Sequence, residues 1–205
     1  MQNSHIIGGE FGIDLQGFQY AQSNNGFLEG IYKYSSGRSA LYYILLDVQK
    51  RYGITTAYLP NYLCSSVVVA AEKSQVKVVF YNLNDQLEID IEKFPLDDNE
   101  KAAVLLINYF GLKSLQLQVE LVRSISMEAI VIEDDVQAFY EFCKPELAAD
   151  YKFTSLRKTF ACPDGGLVKT AKQLTVVTEV QADSLHARGP STNLSGLSGF
   201  HSEFH

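Results

Sequence analysis

Cysteine is scarce in this sequence and scattered. Cys64, Cys143 and Cys162 form neither a disulfide framework nor a CxxC metal knuckle. That usage suits a reducing cytoplasm. Long apolar runs are missing too. No stretch approaches the roughly 18 residues of a membrane span. Met1 to Gly12 has no charged region leading into an apolar one, so no secretory signal is expected there. Basic runs are absent. Lys plus Arg number 17 against 24 Asp plus Glu, a net charge of -7. The chain therefore lacks the electrostatic footprint of a nucleic-acid binder and the polybasic patch of a membrane-surface protein. The histidines are His5, His186, His201 and His205, all in the end segments. This weighs against a zinc site or a His-based triad in the central fold, and no metal is expected.

What is present is ordinary globular material. Hydrophobic residues make up 46% and charged residues 20% of 205. A chain of that length can bury roughly 70% of its unfolded surface, enough for one core without staples. Residues 1–35, rich in Gly, Asn, Gln and Ser, read as an irregular arm. Gly8-Gly9 there has no preceding strand and no following GK[ST], so a turn is expected rather than a phosphate loop. From Ser36 the pattern becomes regular. Ser35-Ser36-Gly37 reads as a loop and N-cap. Ala40, Leu41, Ile44, Leu45 and Val48 then recur at helical spacing until Gly53.

A short strand is expected over 55–59, stopped by Pro60, and a second helix capped by Asn61 and running to about Lys73. A strand over 76–81 ends in the turn Asn82-Leu83-Asn84-Asp85. A short acidic helix is expected near 89–94. The continuous apolar run 102–107 fits a central parallel strand covered on both faces. Residues 115–125 supply a crossover helix. Residues 129–132 form another buried strand, ending in Glu133-Asp134-Asp135. Strand and helix alternate, which predicts an α/β fold with a mostly parallel, mixed sheet flanked by helices. After about Thr170 the sequence becomes Ser- and Gly-rich. Three parts are expected: an arm (1–35), a central domain (36–170), and a linker or truncated start of a further part (171–205).

Ligands of open parallel sheets bind beyond the carboxyl ends of the strands. Three groups of residues follow that rule. Gly37-Arg38-Ser39-Ala40 opens the first strong helix, where backbone N–H groups and the helix dipole favour an anion. Glu133-Asp134-Asp135-Val136-Gln137 ends a buried strand. It resembles the acidic strand of nucleotidases, but no Walker A sequence accompanies it. A carboxylate there can instead pair with a cation on a ligand. Ser155-Leu156-Arg157-Lys158 precedes Gly165-Gly166. Ser-x-x-Lys also occurs in penicillin-recognising enzymes, whose Ser-Asp-Asn and Lys-Thr-Gly elements are missing here. A lysine, a buried acid and a helix N-terminus are together what pyridoxal 5'-phosphate requires: a Schiff-base amine, a partner for the pyridinium nitrogen, and a phosphate site.

The order of motifs resembles the fold-type I PLP-dependent aminotransferases, and among them the DegT-type sugar aminotransferases. The resemblance runs from about Ser36 to Thr170. It rests on Ser36-Gly37-Arg38-Ser39-Ala40-Leu41, Leu59-Pro60-Asn61-Tyr62-Leu63-Cys64, Asn108-Tyr109-Phe110-Gly111, Glu133-Asp134-Asp135-Val136-Gln137-Ala138, and Ser155-Leu156-Arg157-Lys158 with Gly165-Gly166. It implies the fold's PLP-binding large domain. Lys158 becomes the lysine that binds the cofactor, and Asp134 the carboxylate on its ring nitrogen. Gln137 falls near the phenolic oxygen. Gly37, Arg38, Ser39, Ala40 and Ser155 belong to the phosphate site. Tyr62 or Cys64 faces the ring.

The resemblance also implies a keto-sugar substrate, nucleotide-linked, in amino-sugar or polysaccharide biosynthesis. Glutamate is the implied amino donor, and a homodimer the implied assembly. Three features depart from the family: Cys64 where an aromatic residue is common, Asn108 for a frequent His, and no recognisable C-terminal domain. A non-catalytic, PLP-binding or regulatory relic is the alternative. A dehydratase on the same fold has His at the position of Lys158, which argues against that activity. The amine of Lys158 is expected to lie in a desolvated pocket.

Overall fold

The computed structural model describes residues 30–176. Gly8-Gly9, most of the expected arm, the four histidines and the Ser/Gly-rich stretch expected as a linker lie outside the described residues.

The first helix begins and ends where its end signals stand. Ser36 is the N-cap of α1 (Gly37–Tyr52), its hydroxyl accepting the N–H of Ser39 at 3.1 Å. Gly53 closes the helix at φ 69°, a left-handed conformation that costs glycine no Cβ clash. Lys50 and Arg51 occupy the last turn, where cations favour the helix dipole. Between the ends, Ala40, Leu41, Ile44, Leu45 and Val48 are buried against the sheet.

Seven strands form one sheet in the order β1-β7-β6-β5-β4-β2-β3. They are β1 (Tyr32–Tyr34), β2 (Thr56–Pro60), β3 (Lys77–Tyr81), β4 (Ala103–Ile107), β5 (Ile130–Asp134), β6 (Tyr151–Ser155) and β7 (Gly166–Lys169). Neighbours from β3 through β6 pair in parallel, while β7 is antiparallel to both β6 and β1. The fold is thus α/β with a mostly parallel, mixed sheet. α2 (Ser65–Lys73) follows β2, α3 (Gln116–Ile125) follows β4, and the short α4 (Phe139–Cys143) follows β5.

Strand alternation divides the core in two. Ala103, Leu105, Ile107, Ile130, Ile132, Tyr151 and Phe153 pack with α1 and α2. Val104, Leu106 and Val131 pack with Leu115, Val119 and Val122 of the α3 region. The connection after β2 therefore leaves by one face and that after β4 by the other, although these strands are neighbours. This is a topological switch point, where a crevice opens beyond the strand ends.

Several local expectations change. β1 falls within the stretch read as an irregular arm, held at the sheet edge by β7. Asn61 does not cap α2. Its side-chain amide donates to Asn82 at 2.8 Å, and the N-cap position belongs to Cys64. The acidic helix near 89–94 is a single 3-10 turn, Ile91–Lys93. Asp134 and Glu133 belong to β5 itself rather than to the loop after it. Strands β6 and β7 have no counterpart among the elements expected from the sequence.

Candidate functional site

Five connections converge beyond the carboxyl edge of the sheet around one cavity of about 920 Å³. Ser35, Ser36, Gly37, Arg38 and Ser39 line it from the start of α1. Tyr62 to Val67 line it from the β2–α2 connection, and Tyr109 and Phe110 from beyond β4. Asp134, Val136 and Gln137 follow from β5, and Ser155, Arg157 and Lys158 from β6. Of the ten residues singled out as cofactor-binding, nine line this cavity. Ala40 does not: it is wholly buried in the core beneath α1, because one residue further round the helix turns from the cavity to the sheet.

The anion-binding end is built from hydroxyls on a helix N-terminus. Ser39 Oγ lies 2.9 Å from Ser35 Oγ and 3.0 Å from Ser36 Oγ. Arg38 is half-buried beside them. Two glycines make this placement possible. A Cβ on Gly166 would stand 2.1 Å from the Ser36 carbonyl oxygen, and one on Gly37 would stand 3.0 Å from Ser155 Cβ. Gly165, at φ 120°, donates its N–H to Ser35 at 2.8 Å. The Gly165-Gly166 pair thus seats β7 directly under the start of α1. That contact joins residues 130 positions apart, so the local sequence carried no sign of it.

At the end of β5 three consecutive acids divide between the two faces. Asp134 shares the parity of Ile130 and Ile132 and enters the cavity. It is 5% exposed, and its carboxylate accepts one hydrogen bond among the described residues, from the Val136 N–H to Oδ1 at 2.9 Å. Burial pushes its carboxyl up to about 7, against the lowering by that N–H. Glu133 and Asp135 lie on the other face. Lys152 Nζ is 3.1 Å from Glu133 Oε2 and 3.9 Å from Asp135 Oδ2. Lys152 is the only buried lysine or arginine among the described residues. Asn108 donates to Asp135 Oδ1 at 3.2 Å. Asn108, which stands where the family resembled often has His, is therefore 1% exposed on the far side of the sheet.

Lys158 ends the 3-10 turn Leu156–Lys158 that follows β6. It is exposed, and its amine forms no hydrogen bond or ion pair with any described residue. The desolvated surroundings expected for it are thus not present. The short turn carries the side chain off the strand end to the mouth of the cavity instead of under it. Gln137 is also exposed in the turn after β5. Tyr62 and Cys64 both line the cavity and both are exposed. The Tyr62 ring lies 5.7 Å from that of Tyr109, whose hydroxyl donates to the Tyr62 carbonyl.

Residues that sequence reasoning did not single out complete the walls. Phe110 lines the cavity at φ 60°, ψ 8°, an unusual backbone for a bulky side chain, and is 61% exposed. Ser66 donates from its hydroxyl to Cys64 Sγ at 3.2 Å. The Asn-x-x-Gly stretch pointed to the first of these; a Cβ added to Gly111, at φ 65°, would stand 3.4 Å from Ala138. Nothing local marked Ser66.

No protein-family model matches the chain, and no curated protein does. Solved structures do. The chain is similar to NtdA from Bacillus subtilis with bound cofactor PMP, at 21% identity and a TM-score of 0.55, covering 70% of this chain and 33% of that one. It is similar to a DegT DnrJ EryC1 StrS aminotransferase from Brucella abortus, at 15% identity and a TM-score of 0.52, covering 72% and 44%. It is likewise similar to the E. coli GDP-4-keto-6-deoxy-D-mannose-3-dehydratase with bound hydrated PLP, at 16% and 0.55, covering 72% and 41%. At these identities the likeness shows the fold, that of the PLP-dependent fold-type I enzymes. The chain spans less than half the length of these neighbours.

Proposed function

We propose that the chain is the pyridoxal-phosphate-binding domain of a keto-sugar aminotransferase. One observation supports this most: the start of α1, Asp134, Gln137, Ser155 and Lys158 meet in a single cavity at the switch point. Two of the neighbours hold a bound cofactor, PMP in one and hydrated PLP in the other, which supports the same reading.

The cavity fits that cofactor at both ends. A buried carboxylate with one hydrogen bond and a raised pKa lacks a cation, and a protonated ring nitrogen is one. A serine-rich helix N-terminus with Arg38 suits a phosphate dianion. When bound, the cofactor supplies an aldehyde for amine transfer and a ring that takes up electrons. The chain's own residues do the rest. Asp134 keeps the ring nitrogen protonated, in low dielectric where opposite charges attract strongly. Ser39, Arg38 and Ser155 hold the phosphate and so orient the ring. Lys158 would hold the cofactor's aldehyde carbon and would carry a proton at the amine-bearing carbon. Glutamate is the proposed donor and a nucleotide-linked keto-hexose the acceptor, acting within a homodimer in the cytoplasm. The proposed domain limits are 36–170, between an N-terminal arm and a linker.

A second reading, a PLP-binding chain with little turnover, is favoured by the exposure of Lys158 at the cavity mouth. Water must be excluded for efficient transfer. Borohydride reduction of the chain with PLP, followed by mass spectrometry, tests both readings. The label is expected on Lys158 alone and absent from Lys158→Ala. Labelling at Lys152 or Lys169 would overturn the assignment. Conversion of the bound cofactor's absorbance by glutamate separates the aminotransferase from the relic.

A further inference from the structure

Outside the cavity, one buried oxygen is left without a partner. Asp135 is wholly enclosed, and its Oδ2 makes no hydrogen bond among the described residues, although Oδ1 accepts the Asn108 amide at 3.2 Å. The side chain has little room to retreat, because the backbone is pinned on both sides. Asp135 donates its N–H to the Phe153 carbonyl at 2.9 Å, and its own carbonyl accepts the Thr154 hydroxyl at 2.9 Å. Glu133 stands two residues back on the same face, within hydrogen-bond reach of the Asp135 carboxyl. Lys152 Nζ is 3.1 Å from Glu133 Oε2 but 3.9 Å from Asp135 Oδ2. Two carboxylates and one ammonium leave a negative charge uncompensated where water does not reach, which is costly. The other groups around Asp135 do little to offset it. Lys169 of β7 stands beside Lys152 in register but is only half-buried, its ammonium donating to the Lys144 carbonyl and facing Glu146 as well. Burial pushes the Cys143 thiol of α4 up, so it adds no charge. Asp134, the next residue back, faces the cavity. Burial, then Glu133, push the Asp135 carboxyl up against the pull of Lys152 and Asn108.

We propose that Glu133 and Asp135 hold one proton between them, and that this proton locks the cavity wall at Tyr109 and Phe110. The proton neutralises the cluster and gives Asp135 Oδ2 the partner it lacks. Asp135 then stays in place, with Oδ1 turned to Asn108. Asn108 carries the lock to the wall. Its side chain is held by Asp135 and its N–H by the Asp134 carbonyl at 3.0 Å, and the turn Tyr109–Gly111 begins directly after it. Tyr109 and Phe110 of that turn line the cavity. Loss of the proton sets two charges against each other beside one cation, draws water to them and takes Asp135 off Asn108. The lock needs no ligand and does not rest on the cofactor reading above.

The test is made in the full chain carrying Asp134→Asn, so that the cavity carboxyl adds no proton of its own. The infrared C=O band of a protonated carboxyl should remain at about pH 7 and vanish as the pH passes about 8. Adding either Asp135→Asn or Glu133→Gln should remove it, because each amide takes the place of the shared proton. The second readout is hydrogen-exchange protection of the Asn108 amide. It should fall as the pH rises towards 8, approaching about tenfold per unit, the slope of one proton released on opening, and then level off. Asp135→Asn can accept from Asn108 and donate to Glu133, so protection should stay high and flat with pH. Glu133→Gln should flatten it too, and serves if the first variant does not fold. Absence of the band at pH 7 would mean that both carboxylates are charged, and would overturn the proposal. So would a band that survives both substitutions. A band that titrates while Asn108 protection stays flat would overturn the lock.

Discussion

The two faces of the sheet meet the same strand end in opposite ways. On the α3 side, Glu133 and Asp135 are closed off with Lys152 and Asn108, and little but protein surrounds them. On the α1 side, Asp134 is as deeply buried but faces a cavity with one hydrogen bond. Adjacent residues on a strand point to opposite faces, so one run of acids serves as both a structural cluster and a binding group. The difference shows what marks a site here. It is not buried charge as such, which both faces have. It is buried charge that lines a cavity, as Asp134 does; Asp135 Oδ2 on the other face also lacks a hydrogen bond, with Lys152 Nζ 3.9 Å away.

The contrast predicts different costs for removing charge from each face. Lys152→Met should be the most damaging, because it leaves two buried acids without their cation. Breaking a buried pair in this way costs about 3–5 kcal/mol, readable in urea unfolding. A variant as stable as the parent would mean that the closed face is open to water. Asp134→Asn should do the reverse to the ligand-free protein. A carboxyl raised to about 7 keeps its proton in the folded state while the unfolded chain loses it above about 3.8. Its contribution to folded stability should therefore fall as pH rises from about 4 to 7 and then level off, while that of Asp135, pushed up to about 8 by burial and by Glu133, goes on falling to about 8. Asn removes only the Asp134 share of that slope and should raise the melting temperature at pH 8. The same substitution should weaken PLP at least about 30-fold, or about 2 kcal/mol, by deleting the partner of the ring nitrogen. Stabilisation together with unchanged PLP affinity would remove Asp134 from the site.

Smaller effects test the cap that carries the anion site. Ser36→Ala loses the hydroxyl that accepts the Ser39 N–H. It should cost about 1 kcal/mol and, since Ser39 Oγ also leans on Ser36, should weaken binding of phosphate-bearing ligands. A stability loss without a binding loss would confine Ser36 to the helix.

How far the sequence revealed these faces depended on the range of the contacts involved. α1 was legible because Ser36 and Gly53 act within one helical turn. β4 was legible because an unbroken apolar run fits a strand covered on both sides. β6 and β7 were not. Tyr151–Ser155 mixes Lys and Thr with its aromatics, and Lys152 reads as exposed until its partners on β5 are known. Asn61 read as a cap because it precedes a helix, yet its amide found Asn82, just past the end of β3. In the site, Asp134 was singled out through a family resemblance, although alternation with Ile130 and Ile132 already set it apart from Glu133. Cys64 was read as a departure from the family. Its sulfur accepts the hydroxyl of Ser66, two residues on, a contact that nothing in the local sequence marked.

Phe110 offers the mildest test, and it spans both faces. Asn108 anchors the loop to Asp135 on the closed side, and a Cβ on Gly111 would stand 3.4 Å from Ala138. Between them Phe110 is held at φ 60° with its ring exposed in the cavity wall. A left-handed backbone costs a residue with a Cβ about 1–2 kcal/mol, and an exposed ring returns little of that by burial. Phe110→Gly should therefore leave stability unchanged or raise it by up to about 1 kcal/mol, net of the greater entropy of a glycine in the unfolded chain. Phe110→Ala keeps the strain and loses the ring, so it should gain nothing. The pair of variants separates backbone from side chain in one unfolding series. If Phe110→Gly is instead destabilised as much as Phe110→Ala, the ring contributes to the fold, and the open face is more tightly packed than its exposure indicates.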